Sequence, residues 1–217
     1  MKNFAIILSG CGVYDGAEIH ETVATMIALR KNGAVYQCFA PNRRQHHVVN
    51  HLTGAEVGEE RNILEEAARL ARGKIKDIAD YDPKDFDGLI FPGGFGVAKN
   101  LCNYAFKGAD CELFPDVVKA IQETVDAKKP IGAECITPAM MAAFLKGATV
   151  TIGNDEDTAK AIEQMGGHHV VTKHDGVVYD PQYNLYTTPC YMLGMDILEI
   201  YESAEALVKR ILSNTPT

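Results

Sequence analysis

Residues 131–141 read Ile-Gly-Ala-Glu-Cys-Ile-Thr-Pro-Ala-Met-Met, and this stretch decides the fold. Ile131, Gly132 and Ala133 form a short apolar run that reads as a strand. Thr137 and Pro138 read as a helix start, since threonine caps well and proline suits the first helical position. A helix over 138–145 follows. Cys135 therefore stands in a tight strand-to-helix turn, aimed at a helix N-terminus. Serine hydrolases use this elbow, here with cysteine in the nucleophile's place. The positive end of a helix favours a thiolate. A free cysteine is also at home as a buried structural thiol, and spacing alone leaves both readings open.

Outward from this turn the same alternation recurs. Apolar runs at 4–8, 35–40 and 88–91 read as strands. Helical spacing appears over 18–32 (Ile19, Val23, Met26, Ile27), 62–72, 116–128 and 193–211. The pattern predicts an α/β fold with a mostly parallel, doubly covered sheet. The stretch 170–188 breaks the rhythm with three short strand-like pieces and turns at Asp175-Gly176 and 181–184. It reads as an antiparallel hairpin at the sheet edge. With no repeat or linker, the chain reads as one domain over 1–217. Residues 41–61 are polar and irregular, carry His46, His47 and His51, and read as an inserted loop or small helical excursion.

Composition narrows the function. The 217 residues can bury a full core. Lys plus Arg total 21 against 29 Asp plus Glu, a net charge of −8, which argues against a nucleic-acid or anionic-membrane partner. No run reaches the roughly 18 apolar residues of a membrane span. Cys11, Cys38, Cys102, Cys111, Cys135 and Cys190 form no CxxC pair, which argues against a zinc or thioredoxin motif. Without a signal-peptide pattern they are expected to be free thiols in a reducing cytoplasm. His47 and His51 have a metal-compatible spacing but no third ligand, so no metal site is expected.

In open α/β sheets the ligand lies beyond the carboxyl ends of the strands. Two further loops stand there. Pro92-Gly93-Gly94-Phe95-Gly96 follows a strand, and its N–H groups could form an oxyanion hole or simply a Pro-Gly turn. It lacks the spacing of a dinucleotide or Walker loop. The loop 9–18 ends on Glu18, which opens the first helix. Glu18 could serve Cys135 as acid/base or close a capping box with Asp15. Cys11, Tyr14, Phe95 and Asn100 are possible pocket residues; Met140 and Met141 suit core or pocket wall.

Pro92-Gly93-Gly94, Cys135 and Glu18 together resemble the DJ-one/PfpI superfamily, relatives of the class I glutamine amidotransferases. Six segments are similar to its ElbB ("enhancing lycopene biosynthesis") family: SGCGVYDGAEIHE, NHLTG, PGGFGVAKNL, CITPAM, TIGNDEDTA and TTPCYML. The resemblance spans residue 1 to about 212. It implies a flavodoxin-like three-layer sandwich, often homodimeric, with Cys135 as nucleophile and Glu18 as its carboxylate partner. Backbone N–H groups of Gly93, Gly94 and Ile136 would form the oxyanion hole. The implied activity is a glutathione-independent, cofactor-free glyoxalase III acting on small α-oxoaldehydes and linked to isoprenoid metabolism. The alternative is a non-enzymatic redox-sensing or partner-binding protein using an oxidisable cysteine. The chain departs from the superfamily twice. Ile136 stands where many members carry the histidine that amide hydrolysis needs. Glu134 precedes the nucleophile, and its charge opposes a thiolate unless it points away. Asp155 and Asp157 are further acids in the TIGNDEDTA segment.

Overall fold

The structure is a computed structural model that describes residues 1–194 and 196–214. Seven strands form the central sheet: β1 (Asn3–Ile7), β2 (Val35–Ala40), β5 (Ile75–Asp77), β6 (Gly88–Phe91), β7 (Ile131–Glu134), β10 (Val178–Asp180) and β11 (Leu185–Thr188). Their order is β10-β11-β7-β6-β1-β2-β5, and only β10 runs antiparallel. The edge hairpin expected over 170–188 is therefore present, with two strands rather than three. The residues before it belong to a small parallel pair, β8 (Thr149–Val150) with β9 (His168–His169).

Successive side chains alternate faces along each strand, and this places the two cores. Ala5, Ile7, Leu89, Phe91, Ile131 and Ala133 face one side. There they meet α4 (Pro115–Asp126), α5 (Thr137–Phe144) and α6 (Glu156–Gln164). Phe4, Ile6, Cys38 and Ile90 face the other. They meet α1 (Ile19–Lys31), α2 (Ile63–Leu70) and α7 (Ile197–Asn214). Helices on both faces give the three-layer, flavodoxin-like sandwich.

From β1 the chain moves outward to β2 and β5, then returns past β1 to β6. The switch in strand order lies between β1 and β6, and a crevice opens beyond their carboxyl ends. The loops after β1, β6 and β7 all end there. The segment expected as an inserted loop holds a small hairpin, β3 (Val48–Val49) with β4 (Glu56–Val57), which sits at the mouth of that crevice. His47 and His51 therefore do not share a helix face. Met140 and Met141 are core residues with essentially no exposure.

Candidate active site

Cys135 sits where β7 gives way to α5, with φ +61°. Few residues other than glycine adopt this left-handed conformation, and here it makes the sharp elbow. The Cys135 N–H donates to Thr188 O at 3.1 Å, so β11 holds the turn. The capping expectation needs correction. α5 already begins at Thr137, and its hydroxyl donates to Pro92 O at 3.1 Å. That bond ties the elbow to the β6 loop. Ile136 holds the cap position with no side-chain bond.

The carboxyl that faces Cys135 belongs to Glu21, one helical turn beyond the expected Glu18. Glu18 is the N-cap of α1, its Oε2 accepting from the Glu21 N–H at 2.7 Å. Glu21 is fully buried and points its carboxyl at the Cys135 thiol, which donates to it. Its Oε2 also accepts from Gly93 N–H at 2.9 Å and its Oε1 from Tyr191 N–H at 3.2 Å. Glu21 belongs to the segment 9–21 that carries the family resemblance, yet its place in a helix interior concealed it. The available signal was a glutamate standing on the helix face shared with Thr25, Ala28 and Leu29, all buried.

The glycine loop is built around these two groups. A Cβ on Gly93 would lie 2.2 Å from Cys135 Cβ and 2.6 Å from Glu21 Oε2, so only glycine fits. Gly93's N–H is bonded to Glu21, which removes it from the expected oxyanion hole. The N–H groups of Gly94 and Ile136 do point at the Cys135 sulfur. Gly94 adopts φ +100°, and a Cβ there would lie 2.4 Å from Gly16 O.

Three buried carboxyls crowd this floor: Glu18, Glu21 and Glu134. Among the described residues none of them has an ion-pair partner. Burial, then the charge of Glu18, push the Glu21 carboxyl up to about 7. Glu134 turns away from the cleft toward α1, where its Oε1 accepts from Thr25 Oγ1 at 2.8 Å and its Oε2 has no partner. Burial, followed by the charge of Glu21, holds it protonated far above the usual carboxylate range. The charge that would oppose a thiolate from the preceding residue is thus suppressed. Cys135 is itself pushed up, first by burial and then by Glu21, against the pull of the Gly94 and Ile136 amides. The pair therefore rests as a neutral thiol beside a carboxyl. No histidine bonds Cys135 or Glu21 among the described residues; His20 Nδ1 pairs with the Tyr191 hydroxyl at 2.6 Å.

Cys135 forms part of the lining of an open cleft of about 1120 Å³. Tyr14 and Phe95 line it as expected, joined by Tyr104, Phe106 and Met192. Cys11 and Asn100 do not. Cys11 faces the charged side chains Glu66 and Arg69 of α2. Asn100 is buried and stitches loops together, donating to Ser9 O and Asp15 O and accepting from His46 N–H, each at 2.9 Å. Lys99 lines the cleft, donates to Tyr14 O at 2.6 Å and lies 5.4 Å from the Phe95 ring. Asp155 also reaches the cleft and caps α6, whereas Asp157 is solvent-exposed beside Lys160. Asp15 accepts from Val49 N–H at 2.8 Å and so latches the β3–β4 hairpin over the mouth.

No protein-family model matches the chain. The human mitochondrial glutamine amidotransferase-like class 1 domain-containing protein 3 is 41% identical over 221 residues, which cover 97% of this chain and 82% of that protein. A crystal structure of an isoprenoid biosynthesis protein with amidotransferase-like domain from Ehrlichia chaffeensis superposes with a TM-score of 0.90. It is 39% identical and covers 97% of this chain and 99% of its own. Drosophila melanogaster DJ-1beta shares the fold at a TM-score of 0.53 and 18% identity, covering 98% of this chain and 96% of its own.

Proposed function

The chain belongs to the family of the glutamine amidotransferase-like class 1 domain and ES1 proteins, and from that premise we propose a cysteine-dependent, cofactor-free glyoxalase III. Its substrates are methylglyoxal or glyoxal, and its products lactate or glycolate. The observation that carries this reading is the Glu21 carboxyl facing the Cys135 thiol on the floor of the cleft.

Glu21 takes the thiol proton as the sulfur attacks the aldehyde carbon. The new oxyanion forms beside the Gly94 and Ile136 N–H groups, which stabilise it without reorganising. Glu21 hands that proton to the oxyanion, completing the hemithioacetal, and then moves a proton from the former aldehyde carbon to its neighbour through an enediol. A thioester results, water cleaves it, and the thiol is restored. Oxidation of one carbon balances reduction of the next, so no external oxidant is consumed. The test is lactate formation from methylglyoxal without glutathione, in wild type, Cys135→Ala and Glu21→Gln. Equal rates in all three rule the mechanism out.

The missing imidazole at Ile136 weighs against amide hydrolysis, which needs a basic partner for the nucleophile. A redox role for Cys135 is weakened by its neutral thiol, because oxidation follows thiolate character. The link to isoprenoid metabolism follows the Ehrlichia chaffeensis protein, an isoprenoid biosynthesis protein with amidotransferase-like domain. A homodimer and a cytoplasmic location complete the reading. The human and rat relatives are mitochondrial proteins, and no helix among the described residues is long and apolar enough to cross a membrane.

A further inference from the structure

Cys102 and Cys111 lie on two chain segments that pair antiparallel. Cys102 bridges to Leu113, Asn103 N–H donates to Glu112 O at 3.1 Å, and Phe114 N–H to Leu101 O at 3.0 Å. In this register Cys102 and Cys111 are diagonal neighbours on one face, within reach of each other. Cys102 Sγ donates to Val97 O at 3.3 Å and Cys111 Sγ meets Met165 Sδ at 3.9 Å, while each of the two thiols is the largest influence on the other's acidity. The segment between them forms α3 (Tyr104–Lys107), whose Tyr104 and Phe106 line the Cys135 cleft. Phe106 in turn packs under His46, ring centroids 4.2 Å apart.

We propose that Cys102 and Cys111 are a peroxide-responsive dithiol whose disulfide clamps the base of one wall of the cleft. The two thiols divide the work by exposure. Cys111 is partly exposed and meets the oxidant; Cys102 is fully buried and resolves the product. The Cys111 thiolate attacks hydrogen peroxide, giving a sulfenic acid and hydroxide. The Cys102 thiol then attacks that sulfur, the S–S bond forms and water leaves. Electrostatics agree with this order. The neighbouring Cys102 thiol holds Cys111 below its ordinary value, with Lys146 assisting, while Cys111 and then burial raise Cys102. Cys135, on the floor of the cleft, is buried and burial raises its thiol, so the more exposed Cys111 is the thiol oxidised first.

The experiment uses the fully reduced wild-type chain and one equivalent of hydrogen peroxide. The folded protein should lose two titratable thiols. Trypsin without reductant should then give peptide 100–107, carrying Cys102, joined to peptide 108–119, carrying Cys111, as the dominant linkage. The same oxidation in urea should scatter linkages among the six thiols, because only the fold selects this pair. In Cys102→Ser the reaction should stop at a Cys111 sulfenic acid trapped by dimedone. Oxidation of Cys135 before Cys111, or an intact set of thiols in the folded wild type, overturns the proposal. So does an equal yield of the linked peptide from the unfolded chain, which would make nearness in sequence sufficient.

Discussion

A carboxylate buried without a cation either keeps a proton or takes one from a neighbour. Glu21 lies between these cases, raised to about 7 beside a thiol that must lose its proton to react. The activity proposed here should therefore rise with pH through about 7, as Glu21 becomes the base, and then level off. A kcat/KM profile checks this, and Glu21→Gln should remove the limb and cost about 10²–10⁴ in rate. Glu18→Ala should instead cost about 0.5–2 kcal/mol of stability through the lost cap, with the limb retained but moved to lower pH because the Glu18 charge no longer raises Glu21. Stability runs the opposite way. A raised acid contributes stability below its ordinary value of 4.5, and this is lost as pH climbs through about 7. Glu134 adds to that loss, since an unfolded chain would ionise it. Glu134→Gln keeps an acceptor for Thr25 and should raise Tm at neutral pH, read by calorimetry at about 2–4 °C per kcal/mol. These residues were only partly legible in the sequence. Of the four residues whose spacing marks this helix, Met26 is buried, but Ile19, Val23 and Ile27 are 41%, 40% and 50% exposed. The buried face is mostly small or polar: Glu21, Thr22, Thr25, Ala28. Counting apolar residues thus hid the residue that meets Cys135, and the first carboxylate of the helix took its place.

At the scale of elements, legibility followed the number of buried side chains. β1, β6 and β7 are buried along nearly their whole length and read directly as apolar runs. β5 is an edge strand, Ile-Lys-Asp, with no fully buried residue, and α6 buries only Ile162. Neither leaves a periodic trace, so neither was expected. The elbow was legible because Pro138 fixes a helix start, yet the bond from Thr137 to Pro92 is a tertiary contact that no local pattern encodes. Two predictions concern the loops that converge there. Gly94→Ala would push a methyl into the Gly16 carbonyl from a left-handed backbone; backbone cannot yield as a side chain can. It should cost about 1–3 kcal/mol in urea unfolding and slow Cys135 alkylation. Asp15→Ala releases the Val49 N–H and unlatches the β3–β4 hairpin. Amide exchange in 48–57 should accelerate, and KM should rise more than kcat falls if the hairpin serves binding.

At the scale of the whole molecule, the outward stripe of α1 calls for a partner. Ile19, Val23 and Ile27 follow helical spacing, as an amphipathic face does, yet the sheet lies on the other side. α7 runs alongside α1, tied by Lys31 to Glu205 at 3.1 Å and to the Tyr201 hydroxyl at 3.0 Å. It begins with Ile197 and Leu198, both exposed. Exposed apolar side chains on a helix suit an interaction surface, and a self-complementary patch on a two-fold axis is the commonest solution. The homodimer proposed above would use this face, and the helix at its centre would also carry Glu21. Sedimentation equilibrium should give a dimer for the wild type and a monomer for Val23→Asp or Ile27→Asp, both exposed enough to leave the fold intact. A dimer that survives both substitutions, or a monomeric wild type at micromolar concentration, would remove this face from the interface. If the monomeric variants also lose Cys135 reactivity while their near-UV spectra stay native, the partner subunit steadies α1 and hence the Glu21 carboxyl.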